Sequence, residues 1–402
     1  MTTEHPPQRF PLGSRVRLAE LSRDPYPILK HLQIDEPVSW IAETSQWFVT
    51  RRKDIEAILL DPAAFTVEWR ESLLDDTIGT TMLSTDGARQ HRLRQPFQAP
   101  FHPKPVRDSM TASVRNRAAV LIESFVASGR TDLVKTFSNP LALDAVTAML
   151  GLPVHDFEVF RRWFTDIADG LGNFTHDPAV RARGRSSATD FGNYALEHLN
   201  RLRSVPDGSV LSQAVHTAGG LSDEEILSAA RVIIFGGLET TSALISNTLW
   251  ALLKHPDQFA AMRKEPVLIK KAIEESLRWS PPVQSLTRRA ARDVSVRGID
   301  IASGDVVQCM VGAGNRDPEY FADPDTFDLW RGNAADHLAF AIGKHYCLGA
   351  ALARLEGEIA LTSLIERLPC LRFDPEFPSV LRGHEFRSPA DLHVCWDFQE
   401  KL

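Results

Sequence analysis

The segment spanning residues 222–254 constrains this chain more than any other. Ser222 followed three residues later by Glu225 is a capping-box spacing, in which each residue's side chain satisfies the other's free backbone N–H. Apolar residues then recur at helical intervals as far as Lys254, where His255-Pro256 stops the pattern. The spacing predicts one unusually long helix. Gly236 and Gly237 sit near its middle, each costing about 1 kcal/mol relative to alanine in a helix interior. A packing or functional reason for them is expected, with something lying against that stretch of backbone.

Further helical periodicity is found at residues 114–126, 141–150, 157–164 and 191–202. Strand-like runs are short: residues 38–41, 47–50, 294–296, 306–310 and 392–396. No Gly/Ser-rich linker, charge block or repeat interrupts the chain, so residues 1–402 read as one domain. With 43% hydrophobic and 24% charged residues, disordered, collagen-like and low-complexity classes are excluded. The net charge of -7, from 45 Lys plus Arg against 52 Asp plus Glu, gives no global attraction to nucleic acid or to anionic membranes. No apolar run is expected to reach the roughly 18 residues of a spanning helix. The start MTTEHPPQRFPLG lacks the pattern of a secretory signal, so a cytoplasmic protein is expected.

Four cysteines, Cys309, Cys347, Cys370 and Cys395, are too few and too scattered for a disulfide framework or a CxxC zinc module. One has a special neighbourhood. The run HLAFAIGKHYCLGAALARLE, starting at His337, delivers Cys347 from a glycine-containing loop to the start of a predicted helix that ends at Leu368-Pro369. The helix dipole and free N–H groups there favour the thiolate, the form that ligates metal or attacks an electrophile.

This loop resembles the haem-ligating loop of the cytochrome P-450 family, FGxGxHxCxG, with Phe340, Gly343, His345, Cys347 and Gly349 at matching positions. Ala341 replaces the first glycine, so the backbone there is expected to suit a residue with a Cβ. The stretch Gly236-Gly237-Leu238-Glu239-Thr240-Thr241 resembles the family's oxygen-binding A/G-G-x-D/E-T-T pattern. Glu275 and Arg278 stand at ExxR spacing, and Arg331 matches the arginine of the later meander that joins them. Other matches, DPYPILKHL, GNRDPEYF and the terminal strands, extend the resemblance over nearly the whole chain.

The resemblance implies a mainly α-helical fold with small β-sheets (α+β), a triangular helical prism around one haem b whose iron takes Cys347 as axial thiolate. It implies catalytic roles for Glu239 and Thr240 in proton delivery, with Gly236 beside the iron. Haem propionates would be met by Arg288, His345 and Arg94, with Gln90 or His91 at the slot usually held by histidine. Glu275, Arg278 and Arg331 would be a structural set. Substrate would contact Phe65, Trp69, Phe164, Phe174, Ile233, Gly237, Val283, Leu286 and Phe386, an apolar pocket.

The implied activity is monooxygenation of a small, largely apolar organic molecule, free or carried by a carrier protein. Electrons would come from NAD(P)H through a separate reductase and a ferredoxin, docking near Arg92, Lys104, Arg107, Lys344 and Arg354. No fused reductase, a monomeric state, and no nucleic-acid or membrane partner are expected. Glu239 and Thr240 weigh against a peroxide-driven variant, and Cys347 weighs against a non-catalytic recruiter. A zinc or thiol site at His345 and Cys347 would have only two ligands.

Overall fold

The computed structural model describes residues 9–69, 72–173, 177–217 and 220–397. Nine helices build the site: α1 (Leu73–Ile78), α2 (Gly87–Gln98), α3 (Pro103–Phe125), α4 (Asn139–Leu150), α5 (Phe157–Leu171), α6 (Pro178–Ser204), α7 (Asp223–Lys254), α8 (Leu268–Trp279) and α9 (Ala350–Arg367). The capping box at the start of α7 is complete. The Ser222 N–H donates to Glu225 Oε2 at 2.9 Å, and the Glu225 N–H donates to Ser222 Oγ at 3.3 Å.

With 32 residues, α7 is about 48 Å long and crosses the whole core. It is long and apolar enough to span a membrane, contrary to the expectation that no segment is, yet 72% of that stretch is buried inside the protein. Several of its buried polar side chains donate hydrogen bonds. Asn247 Nδ2 donates to the carbonyls of Ser280 and Arg387, at 3.1 and 2.9 Å, and Thr248 Oγ1 donates back to the Leu244 carbonyl at 2.7 Å. Helices α4, α8 and α9 pack along it, and α3 backs α4 and α9. Each large apolar side chain buried this way contributes about 1.5–3 kcal/mol.

The main sheet joins both ends of the chain. Strands β1 (Val38–Ile41), β2 (Gln46–Val49), β3 (Phe65–Thr66), β4 (Leu286–Ala290) and β5 (Val306–Cys309) lie in the order β1-β2-β5-β4-β3. Only β2 and β5 run parallel, with Trp47 opposite Val307. Strand β4 escapes the hydrophobic pattern because Thr287, Arg288 and Arg289 break its apolar run. A hairpin of β6 (Leu381–Arg382) and β7 (Ser388–Pro389) lies near α7. A small sheet of Arg130–Asp132, His393–Cys395 and Arg372–Phe373 closes the chain.

Candidate functional site

Cys347 is held where α9 begins. A 3₁₀ turn, Gly343–His345, precedes it, the Cys347 N–H donates to the Phe340 carbonyl at 2.9 Å, and Gly349 caps α9. The loop is strained at one point. Ala341 adopts φ +56°, the left-handed region where a Cβ costs about 1–2 kcal/mol, so the backbone has not adapted to the missing glycine as expected. Gly343, at φ +73°, carries the residue type its conformation calls for.

Burial pushes the Cys347 thiol up, while N–H groups of Gly349 and Ala350, Arg94 and Arg354 pull it down. The upward effect wins, so the helix terminus alone does not make the anion expected from the sequence. Phe340 is buried with the Arg354 guanidinium 4.5 Å above its ring. Arg354 is itself clamped to Glu274, at 2.6 and 2.9 Å, which removes it from the set of free docking charges. Arg92 is paired with Glu225 and Lys104 with Asp108, whereas Arg107 and Lys344 have no described ion pair. A groove of about 350 Å³ beside Cys347 is lined by Arg94, Phe101, Val106, Arg107, Tyr346 and Leu348 among others.

Two guanidiniums point to a missing anion. Arg288 is 6% exposed, and its only described side-chain hydrogen bond runs to the Thr287 carbonyl at 2.8 Å. Arg94, on α2, donates to the Tyr346 carbonyl at 2.7 Å. Burial pulls both below the usual arginine range, and neither has a described carboxylate partner within ion-pair distance. A buried cation and a half-buried one that lack a carboxylate contact are costly, so the arrangement fits a bound anion. His345 Nε2 lies 2.9 Å from Asp86 Oδ1, a partner that sequence reading missed. Burial would raise the Asp86 carboxyl, but hydrogen bonds from His345, Thr66 and the Val67 N–H hold it at about 2.

Gln90, not His91, reaches the cysteine loop. Gln90 is buried and donates to the Lys344 carbonyl at 3.0 Å, while His91 is exposed and makes no described contact with the loop.

On α7 the two glycines serve different ends. A Cβ on Gly236 would meet nothing within 4 Å, whereas one on Gly237 would lie 2.6 Å from Val146 Cγ2. Gly237 is therefore a helix-packing residue against α4, and its assignment to the pocket is corrected. The Thr240 hydroxyl donates to the Gly236 carbonyl at 2.5 Å. Burial raises the Glu239 carboxyl above its usual range, and Asp169 on α5 adds to the effect.

The expected pocket divides. Phe65 is 6% exposed inside the second core cluster, and Phe164 is fully buried with its ring edge on Phe191 at 5.2 Å. Phe164, with no free surface, is a core residue rather than a pocket residue, and Phe65 packs with the residues around the main sheet. Trp69, Ile233, Val283 and Leu286 are half-buried. Phe386 is 38% exposed, bridges Val283 through the backbone, and sets its ring perpendicular to that of Phe235 at 5.7 Å. Phe174 lies outside the described residues.

Glu275, Arg278 and Arg331 come together. The first two have no exposed side-chain surface and share a bidentate pair, both contacts 2.7 Å, with Arg331 Nε 3.2 Å from Glu275 Oε1. Arg278 also donates to the carbonyls of Asn315, Pro324 and Thr326 at 3.0, 2.8 and 2.9 Å. Among the described residues no cluster of three His, Cys, Asp or Glu could hold a metal alone. The Cys347 sulfur, together with the Arg288 and Arg94 guanidiniums, is a donor set that fits a haem with two propionates.

Known proteins place this arrangement. The cytochrome P-450 family profile matches residues 197–376. The cytochrome P-450 monooxygenase PikC of Streptomyces venezuelae is 33% identical over 370 residues, covering 88% of this chain and 86% of PikC. Among solved structures, P-450BioI in complex with hexadec-9Z-enoic acid ligated acyl carrier protein superposes with a TM-score of 0.88 at 29% identity, covering 94% of this chain and 100% of that one. CYP109E1 from Bacillus megaterium, in complex with testosterone, gives 0.86 at 27%, covering 95% and 100%.

Proposed function

The chain belongs to the cytochrome P-450 family of monooxygenases, and from that premise we propose that Cys347 is the axial ligand of a haem b whose propionates are held by Arg94, Arg288 and His345. The observation that carries this reading is a pair of guanidiniums without a carboxylate contact: Arg288, which is buried, and half-buried Arg94, which reaches the cysteine loop at the Tyr346 carbonyl. When bound, the haem supplies reductive activation of dioxygen and the insertion of one oxygen atom into substrate, the other leaving as water.

The chain's own residues control protons and access. Glu239, its carboxyl raised by burial, keeps a proton at higher pH than an exposed glutamate and is the proton donor of the site. Thr240 accepts that proton's hydrogen bond and passes it on, its own O–H turning from the Gly236 carbonyl, one helical turn back. Gly236 leaves room on that face of α7. Ile233, Val283, Leu286 and Phe386 supply apolar surface that excludes water and orients a small, largely apolar organic substrate for hydroxylation, epoxidation or dealkylation. The likeness to a protein solved with a carrier-bound fatty acid supports testing carrier-linked acyl substrates as well as free ones.

Electrons would arrive from NAD(P)H through a reductase and an acidic ferredoxin seated over the groove beside Cys347, which Arg107 lines, and over the 3₁₀ turn before it, which carries Lys344; neither cation has a described ion pair. Lys344→Glu combined with Arg107→Glu should slow reduction by ferredoxin, and unchanged kinetics would discard that surface. The remainder of the proposal is a single-domain, monomeric, cytoplasmic enzyme.

The decisive experiment is the absorption spectrum of the dithionite-reduced protein under carbon monoxide, with Cys347→Ala as control. Thiolate ligation places the Soret band far to the red of histidine ligation. A red-shifted band lost in the variant supports the assignment; a histidine-type band or absent haem overturns it.

A further inference from the structure

The hairpin turn that carries Phe386 is stitched to the core by more than its strands. The Gln284 N–H donates to the Glu385 carbonyl, the Arg387 N–H to the Pro282 carbonyl and the Gly383 N–H to the Ser22 carbonyl, each at 2.8 Å. Gly383 sits at φ +107°, where no residue with a Cβ fits. Between these anchors the Glu385 side chain turns inward, with Oε2 2.7 Å from Ser285 Oγ. Ser285 Oγ is also 3.1 Å from Gln308 Oε1, which accepts from Thr287 Oγ1 at 3.0 Å, and Gln308 Nε2 donates to Gln46 Oε1 at 3.1 Å.

A hydroxyl has one proton and here faces two acceptors. If Glu385 carries a proton, it donates to Ser285, Ser285 donates on to Gln308, and the Glu385–Ser285–Gln308 chain is complete. If Glu385 is ionised, the Ser285 O–H must turn back to the carboxylate, and Gln308 Oε1 keeps Thr287 alone.

We propose that Glu385 is a positioning residue for the substrate pocket: its protonation state, relayed through Ser285 to Gln308, sets the turn that holds Phe386 against Phe235. Burial pushes the Glu385 carboxyl up to about 7, with the Ser285 hydrogen bond opposing, so both arrangements interchange near neutrality. The charged and titratable groups around the turn are otherwise engaged. His384 meets Ser22 Oγ at 2.9 Å, with burial lowering and Glu43 raising its pKa. Arg387 donates to the carbonyls of Ser22, Gly383 and Arg23 and lies over the Tyr26 ring, with Asp24 and Arg382 near it. None of them forms a described ion pair with Glu385. The inference rests on the proposed reading of Ile233, Val283, Leu286 and Phe386 as the apolar surface that orients substrate.

The test places 4-fluorophenylalanine at position 386 and follows its ¹⁹F line from about pH 5.5 to about pH 8.5 in the diamagnetic ferrous carbon-monoxide form, with and without Glu385→Gln. Glutamine cannot ionise but keeps an N–H for Ser285. The expected result is one sigmoidal displacement near neutrality in the parent and a pH-independent line in the variant, close to the parent's low-pH position. No displacement in the parent, or the same displacement in the variant, would overturn the proposal; the latter would assign the titration to another group, such as His384. The Soret band of the same sample reports separately whether the haem assignment holds, so the two failures are distinguishable.

Discussion

Adding one carbon at each of two adjacent glycines of α7 should have opposite effects. In Gly237→Ala the new Cβ falls 2.6 Å from Val146 Cγ2 and 2.9 Å from Val146 Cβ, where ordinary contact begins at 3.4 Å. Val146 is 1% exposed and β-branched, so it has few rotamers into which to retreat. Overpacking at such a point costs about 3 kcal/mol, the upper end of its range, and the gain in helix propensity offsets about 1, leaving about 2 kcal/mol of destabilisation. Gly236→Ala meets nothing within 4 Å and should keep its propensity gain of up to about 1 kcal/mol. At about 2.1 cal/mol/K per residue, unfolding 402 residues changes entropy by about 0.85 kcal/mol/K, so the two variants should differ in melting temperature by about 3–4 °C. The assay is thermal unfolding of matched holoproteins, extended to a double-mutant cycle with Val146→Ala. That substitution alone opens a cavity, and in combination with Gly237→Ala it should recover about 2 kcal/mol of coupling. A Gly237→Ala midpoint at or above the parent's, or no rescue by Val146→Ala, would refute the close-packing argument.

Three further outcomes are expected. Arg278→Met leaves the buried Glu275 carboxylate with Arg331 at 3.2 Å and the Asp328 N–H at 2.9 Å and deprives the Asn315 and Pro324 carbonyls of their side-chain donor, a loss of about 3–5 kcal/mol that denaturant titration or holoprotein yield will register. The Asp86 carboxyl, held at about 2 against an ordinary 3.8, stabilises the fold above its ordinary pKa and loses that contribution as pH falls through about 2. Allowing for its partial exposure this is about 1–2 kcal/mol, so the stability gap between parent and Asp86→Asn should hold from neutral pH down to about pH 5 and shrink from there toward pH 2. A gap independent of pH would sink the linkage. Ala341→Gly relieves a left-handed Cβ and should raise stability by up to about 1 kcal/mol after the entropy of the new glycine, while Gly343→Ala, at φ +73° and 3.1 Å from Leu60 Cδ2, should lower it. Melting temperatures moving the same way in both variants would contradict this account of the loop.

Much of the site was legible because its chemistry lies in contiguous motifs. The loop from Phe340 to Gly349, the glycine-acid-threonine turn of α7 and the Glu275-Arg278 spacing each carry their geometry in local sequence, since a loop and a helix turn bring near neighbours together. Partners distant in the chain were not legible. Asp86 reads as a helix N-cap, yet its carboxylate binds His345, 259 residues away. Glu274 adjoins the ExxR glutamate and turns instead to Arg354. Strand β4 was hidden because strand periodicity is read from apolar alternation, and Arg288 takes a buried place there. Aromatic side chains were ambiguous for the same reason. Phe65, Phe164 and Phe386 look alike in sequence, and only packing separates two core rings from one that faces open space.

The sequence by itself determined where α7 starts and stops, where α9 runs, and which residue types meet at the cysteine loop, because capping, periodicity and proline act over a few residues. Only the tertiary structure decided which of two adjacent glycines admits a neighbouring helix and which leaves open space. It also left one buried and one half-buried arginine without a carboxylate contact and set the direction in which burial moves the thiol of a cysteine at a helix terminus. Those outcomes depend on solvent exclusion and on distances between segments hundreds of residues apart. Desolvation is a property of the assembled interior, and no local pattern encodes it.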